Sequence, residues 1–438
     1  MNGRQTHRRR LPLPVLGLCL AAAAPLAAQQ AAPQPAAPAA YAIRGATIVP
    51  VVGPRIANGT IVLRGGRIEA LGVQVAVPAD AQAIDGTGLF VYPGLVDAGT
   101  TLGLVEIGSV PGGDDTQELG DFNPHDDALT AVNPTSELIP TVRNNGITTV
   151  LTAARGGVVA GTAAFIDLAG WTPQEMAVVP RAGMVITFPR LSGRRGGRRG
   201  GAQPDDVDRQ TRALRTFLAD AKAYADVKAR LAAGQAGTQE TSLPMEAMVP
   251  VMRGEMPVLF DVETADQIRG ALALADSFHL KVVFRGASQA WEVADTLAAR
   301  HVPVIVGPTT VAPRDEDAYD AIYANPGVLA RAGVTIAFQT TSASDVRNVG
   351  YNAALAEAYG LDPDEALRAV TINPARIFGV ADRYGSLEAG KVADVIVTTG
   401  DPLDARTDVR YVFIRGQLQP RTDRQTRLYE QFRARPPQ

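Results

Sequence analysis

Short runs in which apolar and polar positions alternate occupy both ends of the chain. Residues 41–72 alternate with a period of two and are interrupted by Gly-Pro, Asn-Gly and Gly-Gly dipeptides. Such alternation predicts half-buried β-strands, and the dipeptides predict tight turns between them. The same pattern returns at residues 390–402 and 409–417. We therefore expect residues 41–90 and 380–420 to pair into one small composite β-sandwich built from both ends of the sequence.

The middle of the chain repeats a different unit, a short apolar run followed by an amphipathic helical stretch. The clearest apolar runs lie at residues 256–262, 280–286, 302–308 and 334–341. Thr264 stands where the helix after the first of these runs would need an N-cap. Units that recur every 20 to 30 residues or so predict a parallel sheet with right-handed crossovers. Over residues 91–379 this favours an α/β fold, a (β/α)8 TIM-like barrel, over an open sheet.

The first forty residues are expected to lie outside this fold. Three arginines, Arg8 to Arg10, precede an apolar run that is too short to span a membrane, which is typical of a signal peptide. We predict a signal peptide over residues 1–28, a disordered linker over residues 29–40, and export to the periplasm or the extracellular space; an uncleaved anchor is the alternative. Cys19, the only cysteine, lies in the signal segment, so no thiol chemistry is expected in the mature protein. Residues 421–438 are predicted to be a C-terminal tail.

Charge and composition narrow the choice of partners. The net charge of −3 gives no reason to expect binding to nucleic acid, and no membrane span is expected after signal cleavage. The arginine-rich segment 190–206 is either a basic patch for an anionic partner or a disordered surface loop. The acidic segment 112–123 offers oxygen ligands for calcium without the spacing of an EF-hand. Residues 155–161 are predicted to be a glycine-rich loop. Oligomer formation is left open.

Four stretches resemble the amidohydrolase superfamily, in its imidazolonepropionase-like branch, and the resemblance extends over residues 41–418. They are VYPGLVDAGTTLG at 91–103, NGITTVLTA at 145–153, TINPARIFGV at 371–380 and YGSLEAGKVADVIV at 384–397. The resemblance implies a (β/α)8 barrel with a composite β-sandwich. It also implies hydrolysis of C–N bonds in non-peptide or dipeptide-like amides. The family's site holds one or two divalent metals, typically zinc, at the C-terminal mouth of the barrel.

The family's metal ligands are replaced at the matching positions of this sequence. Where the family has two histidines after strand 1, this chain has Gly99 and Thr101. The strand 5 histidine corresponds to Asp261, the strand 6 histidine to Arg285 or its neighbour Gly286, and the strand 8 aspartate to Thr341 or a neighbour. The predicted strand 4 contains no lysine. We therefore expect a degenerate metal centre and no cofactor, with zinc or another divalent metal bound only if the family chemistry survives.

Few histidines remain that could replace these ligands. His279 and His301 each end a predicted helix, which places them on the N-terminal, non-catalytic face of a barrel. His125 follows strand 1 on a long loop beside two aspartates, so it is a candidate for metal binding or proton transfer, with an exposed surface histidine as the alternative. The catalytic residues are not identified from the sequence, and the candidates are Asp261, Arg285 and His125.

Two of the substitutions make physical sense together. Arg285 would place a guanidinium where the family has its metal, and Asp261 on the neighbouring strand would pair with it, since a buried charge is costly unless paired. The pair would form either an anchor for a small-molecule amide or carboxylate ligand or a purely structural plug. The sequence thus leaves two functions open. One is a C–N hydrolase; the other is a non-catalytic periplasmic ligand-binding or scaffold protein, a pseudoenzyme candidate, that uses the mouth around Arg285 and Asp261.

Overall fold

The computed structural model describes residues 40–435, apart from residue 111, residues 190–203 and residues 315–316, and without the side chains of residues 204–208. The predicted signal peptide, nearly all of the predicted linker and most of the arginine-rich segment therefore lie outside the described residues. The described strands are β1 Ala40–Ile48, β2 Ile56–Arg64, β3 Arg67–Gly72, β4 Ala81–Asp85, β5 Phe90–Pro93, β6 Leu95–Thr100, β7 Ile147–Thr152, β8 Val159–Asp167, β9 Ala177–Thr187, β10 Val258–Val262, β11 Val282–Gly286, β12 Val304–Val306, β13 Ile336–Phe338, β14 Val395–Thr398, β15 Val409–Ile414 and β16 Gln417–Leu418.

Helices follow most of the later strands. They are α1 Ala128–Ala131, α2 Leu138–Arg143, α3 Pro173–Met176, α4 Pro204–Ala232, α5 Leu243–Met252, α6 Ala265–Phe278, α7 Ala294–Ala299, α8 Ala321–Arg331, α9 Val349–Ala358, α10 Pro363–Ala369, α11 Ile372–Ile377 and α12 Arg424–Arg433, with 3-10 turns at Ala290–Val293 and Val346–Asn348. The predicted C-terminal tail thus contains a helix, capped by the Asp423 carboxylate. No helix within the described ranges is long and apolar enough to cross a membrane.

Strands from both ends of the sequence form the small sheet, as the alternating pattern predicts. The strand order is β16-β15-β14-β5-β1-β2-β3, and β4 also pairs with β1. One edge of β1 pairs with β4 over residues 40–44 and with β5 over residues 47–48, so the sheet divides there. Side chains from its two sequence ends, including Ile43 and Phe413, share one hydrophobic core.

The second sheet is a nearly closed barrel of eight strands, β6 to β13 in sequence order. The Thr341 N–H donates to the carbonyl oxygen of Gly99 (2.8 Å), which links the segment after β13 to β6. Strand β8 departs from the ideal pattern because it runs antiparallel to both β7 and β9. The connection from β7 is too short for a crossover helix and turns through Gly156 and Gly157, both with positive φ. The predicted loop 155–161 therefore ends at residue 158, and its last residues belong to β8.

The stretch 91–103 contains two strands rather than one. Strand β5 pairs in the small sheet and β6 begins the barrel, with Gly94 between them. A β-carbon on Gly94 would lie 2.1 Å from the Thr148 hydroxyl oxygen, so only glycine allows the chain to pass so close to β7. This junction connects the sheet to the strand that carries Gly99.

Successive side chains on the barrel strands point alternately into the barrel and out towards the helices, so the barrel has an inner and an outer hydrophobic core. Leu259, Val283 and Ile305 belong to the inner cluster, whereas Phe260 and Phe284 belong to the larger cluster that includes the helices. The inward row continues to Asp261 and Arg285 where β10 and β11 end, because alternate side chains share a face. The chain then enters α6, where Thr264 forms the predicted N-cap as part of a capping box with Gln267.

His279 and His301 lie where the sequence predicts, between a helix and the following strand. Both adopt the left-handed conformation, with φ of 55° and 53°. His279 is the C-cap of α6, and His301 follows α7 before β12. They are therefore at the opposite end of the strands from Asp261 and Arg285.

Candidate active site

Asp261 and Arg285 form an ion pair at the C-terminal mouth of the barrel, as the sequence predicts. Their Cα atoms are direct partners on β10 and β11. The guanidinium Nε lies 2.9 Å from one carboxylate oxygen of Asp261, and Nη2 donates to the other at 3.4 Å. The Arg285 side chain is only 8% exposed, whereas that of Asp261 is 32% exposed. The carboxylate is thus the solvent-facing half of the pair.

The guanidinium is not fully satisfied by this pairing. Nε of Arg285 is close to Asp261 but outside hydrogen-bond geometry, and Nη1 has no hydrogen-bond acceptor among the described residues; both atoms are buried. A buried donor without an acceptor costs free energy on the order of 1–3 kcal/mol. Arg285 therefore retains capacity to bind an oxygen atom.

Gln339 is a site residue that the sequence reading missed. It follows β13, is buried, and donates from Nε2 to the carbonyl oxygen of Gly307 (3.1 Å). Its Oε1 has no hydrogen-bond donor among the described residues. That oxygen lies 2.2 Å from the place where a β-carbon on Gly99 would be. The side chain of Gln339, just after β13, therefore fills the space beside Gly99 on β6.

Asp97 is a fully buried carboxyl group on β6, beside these residues. It accepts hydrogen bonds from the backbone N–H groups of Gly99 (2.9 Å) and Thr340 (3.2 Å) and from the Thr340 hydroxyl. Burial raises the pKa of Asp97 to about 7, although these hydrogen bonds and the charge of Arg285 act in the opposite direction. These contacts join β6 to the segment after β13, so Asp97 has a structural role at this end of the barrel. Its carboxyl group also titrates near neutral pH.

A second guanidinium also acts on the mouth. Arg155, in the connection between β7 and β8, donates from Nη2 to the hydroxyl of Thr101 (3.3 Å). Burial raises the pKa of Asp261, and the positive charges of Arg285 and then of Arg155 lower it. Two arginines therefore surround one half-buried carboxylate, an arrangement that favours oxygen-rich anions or carbonyl groups.

Thr341, the position matched to the family's strand 8 aspartate, contributes through its backbone. It has a φ of 63°, in the left-handed region that β-branched residues rarely adopt. Its N–H makes the bond to Gly99 that links the two edges of the barrel. Backbone strain of this kind is held by the surrounding structure and is often found at functional sites.

His125 is not brought together with the ion pair. Its side chain is 42% exposed, and Nε2 lies 3.9 Å from a carboxylate oxygen of Asp126. The neighbouring Asp127 bonds Arg181 of β9 (3.1 Å), which holds this segment alongside the barrel wall. The described contacts of His125 give it no link to Asp261 or Arg285.

The residues at the mouth do not fit the divalent metal that the family resemblance implies. Within the described ranges, no group of three or more His, Cys, Asp or Glu side chains is arranged to hold a metal ion. Asp261, the one matched position with a suitable ligand, is already bonded by a guanidinium. A metal ion next to Arg285 would also be repelled by its positive charge.

Comparison with known proteins identifies the family. The amidohydrolase family model matches residues 90–419, well over half of the sequence. The chain therefore belongs to the amidohydrolase family.

Individual relatives match more locally. An imidazolonepropionase of Thermoplasma volcanium is 32% identical over 111 residues, which is 24% of this chain and 26% of that protein. An N-substituted formamide deformylase of Arthrobacter pascens is 52% identical over 44 residues, 10% of this chain and 8% of that protein. The chain thus spans about a quarter or less of the length of these relatives.

Solved structures match over most of the chain. An amidohydrolase from Thermotoga maritima has a TM-score of 0.76 and 27% identity, covering 86% of this chain and 99% of that one. This similarity confirms the predicted TIM-like barrel with its separate sheet domain.

Proposed function

We propose that this amidohydrolase-family protein hydrolyses a C–N bond in a small amide at the mouth of its barrel, using charged side chains in place of a metal. The observation that carries the proposal is the buried Arg285 guanidinium, which pairs with Asp261 and keeps unpaired N–H groups. The reaction class follows from family membership and from relatives that are named as an imidazolonepropionase and a deformylase.

The polar groups of the mouth complement an amide. Arg285 supplies N–H donors that suit a carbonyl or carboxylate oxygen, and Gln339 supplies an acceptor that suits an amide N–H. Arg155, which is exposed, adds a positive charge that acts on Asp261. A small molecule that carries an amide close to a carboxylate would use all three groups, so we propose this substrate class.

In the proposed reaction, Arg285 stabilises the negative charge that develops on the carbonyl oxygen when water adds to the carbon. Asp261 is the half-buried carboxylate at the same point, and it accepts the proton of the attacking water. The C–N bond then breaks, and the proton passes to the leaving nitrogen. The products are a carboxylic acid and an amine, so atoms and charges balance.

A second candidate is binding without turnover, and the Asp261–Arg285 pairing itself favours it. Burial raises the pKa of Asp261 and the guanidinium lowers it, so the carboxylate is a weaker base than burial alone would make it. Asp97, the other carboxyl group near Arg285, has no exposed surface and is held by Gly99 and Thr340. In this case the mouth would recognise an amide or a carboxylate and release it unchanged.

One experiment separates these candidates. The mature protein is titrated with N-acetylglycine by calorimetry, and amine release is followed for a panel of N-acyl amino acids, dipeptides and cyclic amides, with and without EDTA. Hydrolysis that persists in EDTA and is lost in Arg285→Met supports the proposal. Binding of N-acetylglycine without amine release supports the second candidate. Hydrolysis that EDTA abolishes contradicts the metal-free mechanism, and neither binding nor turnover across the panel overturns both candidates.

A matched control is available on the opposite face of the barrel. Arg300 also pairs with an aspartate, Asp276, but at the N-terminal end. Arg300→Met therefore removes the same chemical group from an ion pair remote from the mouth. We expect it to keep the binding and turnover of the unaltered protein.

We also propose that the protein is exported. The basic residues Arg8 to Arg10 and the apolar run after them support this proposal, and they lie outside the described residues. Expression of the full chain followed by fractionation and N-terminal sequencing tests it. Recovery of a chain that begins near residue 29 outside the cytoplasm supports export, and an intact N-terminus in the cytoplasm contradicts it.

A further inference from the structure

A cleft on the opposite side of the barrel from the mouth carries features that the proposed function does not use. Its volume is about 640 Å³, within the range of small-molecule sites. The segment after β8, the end of α2 and the β15–β16 hairpin form its walls, with Trp171, Arg143 and Gln419 among the lining residues. We call it the Trp171 cleft. It lies at the N-terminal face, because Asp167 at the end of β8 pairs with Thr149 near the start of β7.

Arg143 brings an uncompensated positive charge to this cleft. Its Nη1 donates to the carbonyl oxygen of Leu168 (3.2 Å) and to the side-chain oxygen of Gln419 (2.8 Å), which are neutral acceptors. Its Nε is buried without a hydrogen-bond acceptor, and no carboxylate of the described residues lies within ion-pair distance. Burial lowers the pKa of Arg143, which reflects the cost of a charge removed from water. An anion bound in the cleft would offset that cost.

The other charged residues of the cleft are already engaged. Arg415 lies 3.6 Å from the Asp167 carboxylate and donates to the carbonyl oxygens of Glu175 and Ala169. The Glu175 carboxylate accepts the backbone N–H of Trp171 (2.8 Å). The charge of Arg143 therefore has no counterpart among these groups.

Trp171 presents an indole ring at the rim of the cleft. The residue is 89% exposed, which is unusual for tryptophan because burial of its large apolar surface is favourable. Its backbone is held by Glu175, and the preceding Gly170 packs so closely on Met176 that a β-carbon would lie 2.7 Å from the Met176 side chain. A fixed, exposed aromatic face next to a cation suits a ring that carries negative charge.

We propose that the Trp171 cleft binds a planar ring compound bearing a carboxylate, with the ring against Trp171 and the carboxylate near Arg143. This site is separate from the mouth, so it stands whether or not the proposed function is correct. It would serve as a binding site for an anionic effector or a second ligand.

The test uses ¹⁹F NMR of protein labelled with 5-fluorotryptophan. The sequence contains two tryptophans, Trp171 and Trp291, so two resonances are expected. The probe is benzoate, and its neutral counterpart benzamide is the matched control. We expect benzoate to shift the Trp171 resonance in a saturable manner and leave Trp291 unchanged. Benzamide lacks the negative charge that Arg143 would pair with, so it should bind at least about tenfold more weakly.

Two variants complete the test. Arg143→Gln should weaken benzoate binding by about tenfold or more. Trp171→Ala, which changes an exposed residue, is made together with Arg285→Met so that carboxylate binding at the mouth does not contribute. It should abolish the saturation-transfer signal of benzoate in ligand-observed NMR, with the melting temperature of Arg285→Met alone. The proposal is overturned if benzoate produces no saturable shift, if benzamide binds equally well, or if Trp171→Ala in this background binds benzoate as Arg285→Met does.

Discussion

The side-chain oxygen of Gln339 lies 2.2 Å from the position that a β-carbon on Gly99 would occupy. Gly99 lies on the first strand of the barrel and Gln339 follows the last one, and the bond between Thr341 and Gly99 links these two segments. The Gln339 side chain can therefore occupy this position only because residue 99 is a glycine. Any larger residue at 99, including a metal-binding histidine, requires Gln339 to move.

A substitution at Gly99 tests this arrangement. We expect Gly99→Ala to lower the free energy of unfolding by about 1–3 kcal/mol, because the added methyl group overlaps the Gln339 side chain. The double variant Gly99→Ala/Gln339→Ala should recover part of the loss, since the obstructing atoms are removed. Urea unfolding of both variants measures the effect. Gly108→Ala is the control and should be nearly neutral, because the added carbon would lie 3.8 Å from the Val105 side chain, which is ordinary van der Waals contact.

Equal stability of Gly99→Ala and the unaltered protein would show that Gln339 turns away at no cost. A double variant less stable than the sum of the single variants would show that the two residues support each other in another way.

Asp97 gives a prediction about pH. Burial raises its pKa to about 7 in the folded protein, above the ordinary value near 4, so the folded state binds the proton more tightly than the unfolded chain. The contribution of this proton to the free energy of unfolding is complete below about pH 4. It is lost as the pH rises towards 7, by up to about 1.4 kcal/mol per pH unit. Asn mimics the protonated carboxyl, with its oxygen facing the N–H groups of Gly99 and Thr340.

We therefore expect Asp97→Asn to gain stability relative to the unaltered protein as the pH is raised from 4 to 7. Chemical unfolding at several pH values measures the difference. A difference that stays constant across this range would mean that Asp97 titrates normally and that the buried environment does not hold its proton.

The Asp261–Arg285 pair gives a prediction about coupling. Removing one partner leaves the other without its counter-charge, so Arg285→Met and Asp261→Asn should each destabilise the protein. The double variant should lose less than the sum, with a coupling free energy of about 0.5–3 kcal/mol. Unfolding of the four proteins in a double-mutant cycle gives this value. Strict additivity would mean that the two groups do not interact in solution.

A pair of buried carboxyl groups lies at the other end of the barrel. The Thr149 hydroxyl lies within hydrogen-bond distance of both Asp167 (3.2 Å) and Asp394 (3.4 Å), and Tyr384 donates to Asp167 (3.1 Å). Burial raises the pKa of Asp167 to about 6 and that of Asp394 well above its usual range, where the charge of Asp167 raises it further. The folded protein thus holds protons here that the unfolded chain has released.

Stability should accordingly fall as the pH rises from about 4 to about 6 and beyond, and Asp394→Asn should reduce this slope because the amide needs no proton. Thermal unfolding between pH 4 and 8 tests it, with Asp266→Asn on the exposed surface of α6 as the control. An unchanged slope in Asp394→Asn would contradict the account of this pair.

The sequence predicted those parts of the site that depend on strand periodicity. Asp261 and Arg285 could be paired because both end predicted neighbouring strands, and residues at matching positions of parallel strands share an inward row. Gln339 was missed because its role depends on the shape of the space beside Gly99, which no local pattern specifies. The antiparallel β8 was missed for a similar reason, since its direction depends on a short glycine turn rather than on the apolar pattern of the strand.

If Arg285 and its partners occupy the place of the family's metal, the mature protein binds no divalent metal tightly, and metal analysis measures this. The protein would be purified without a tag or chelator, dialysed against zinc-containing and then metal-free buffer, and analysed by elemental mass spectrometry. We expect a metal content far below one ion per chain and a melting temperature that EDTA does not change. One zinc or more retained per chain, with a lower melting temperature in EDTA, would contradict it.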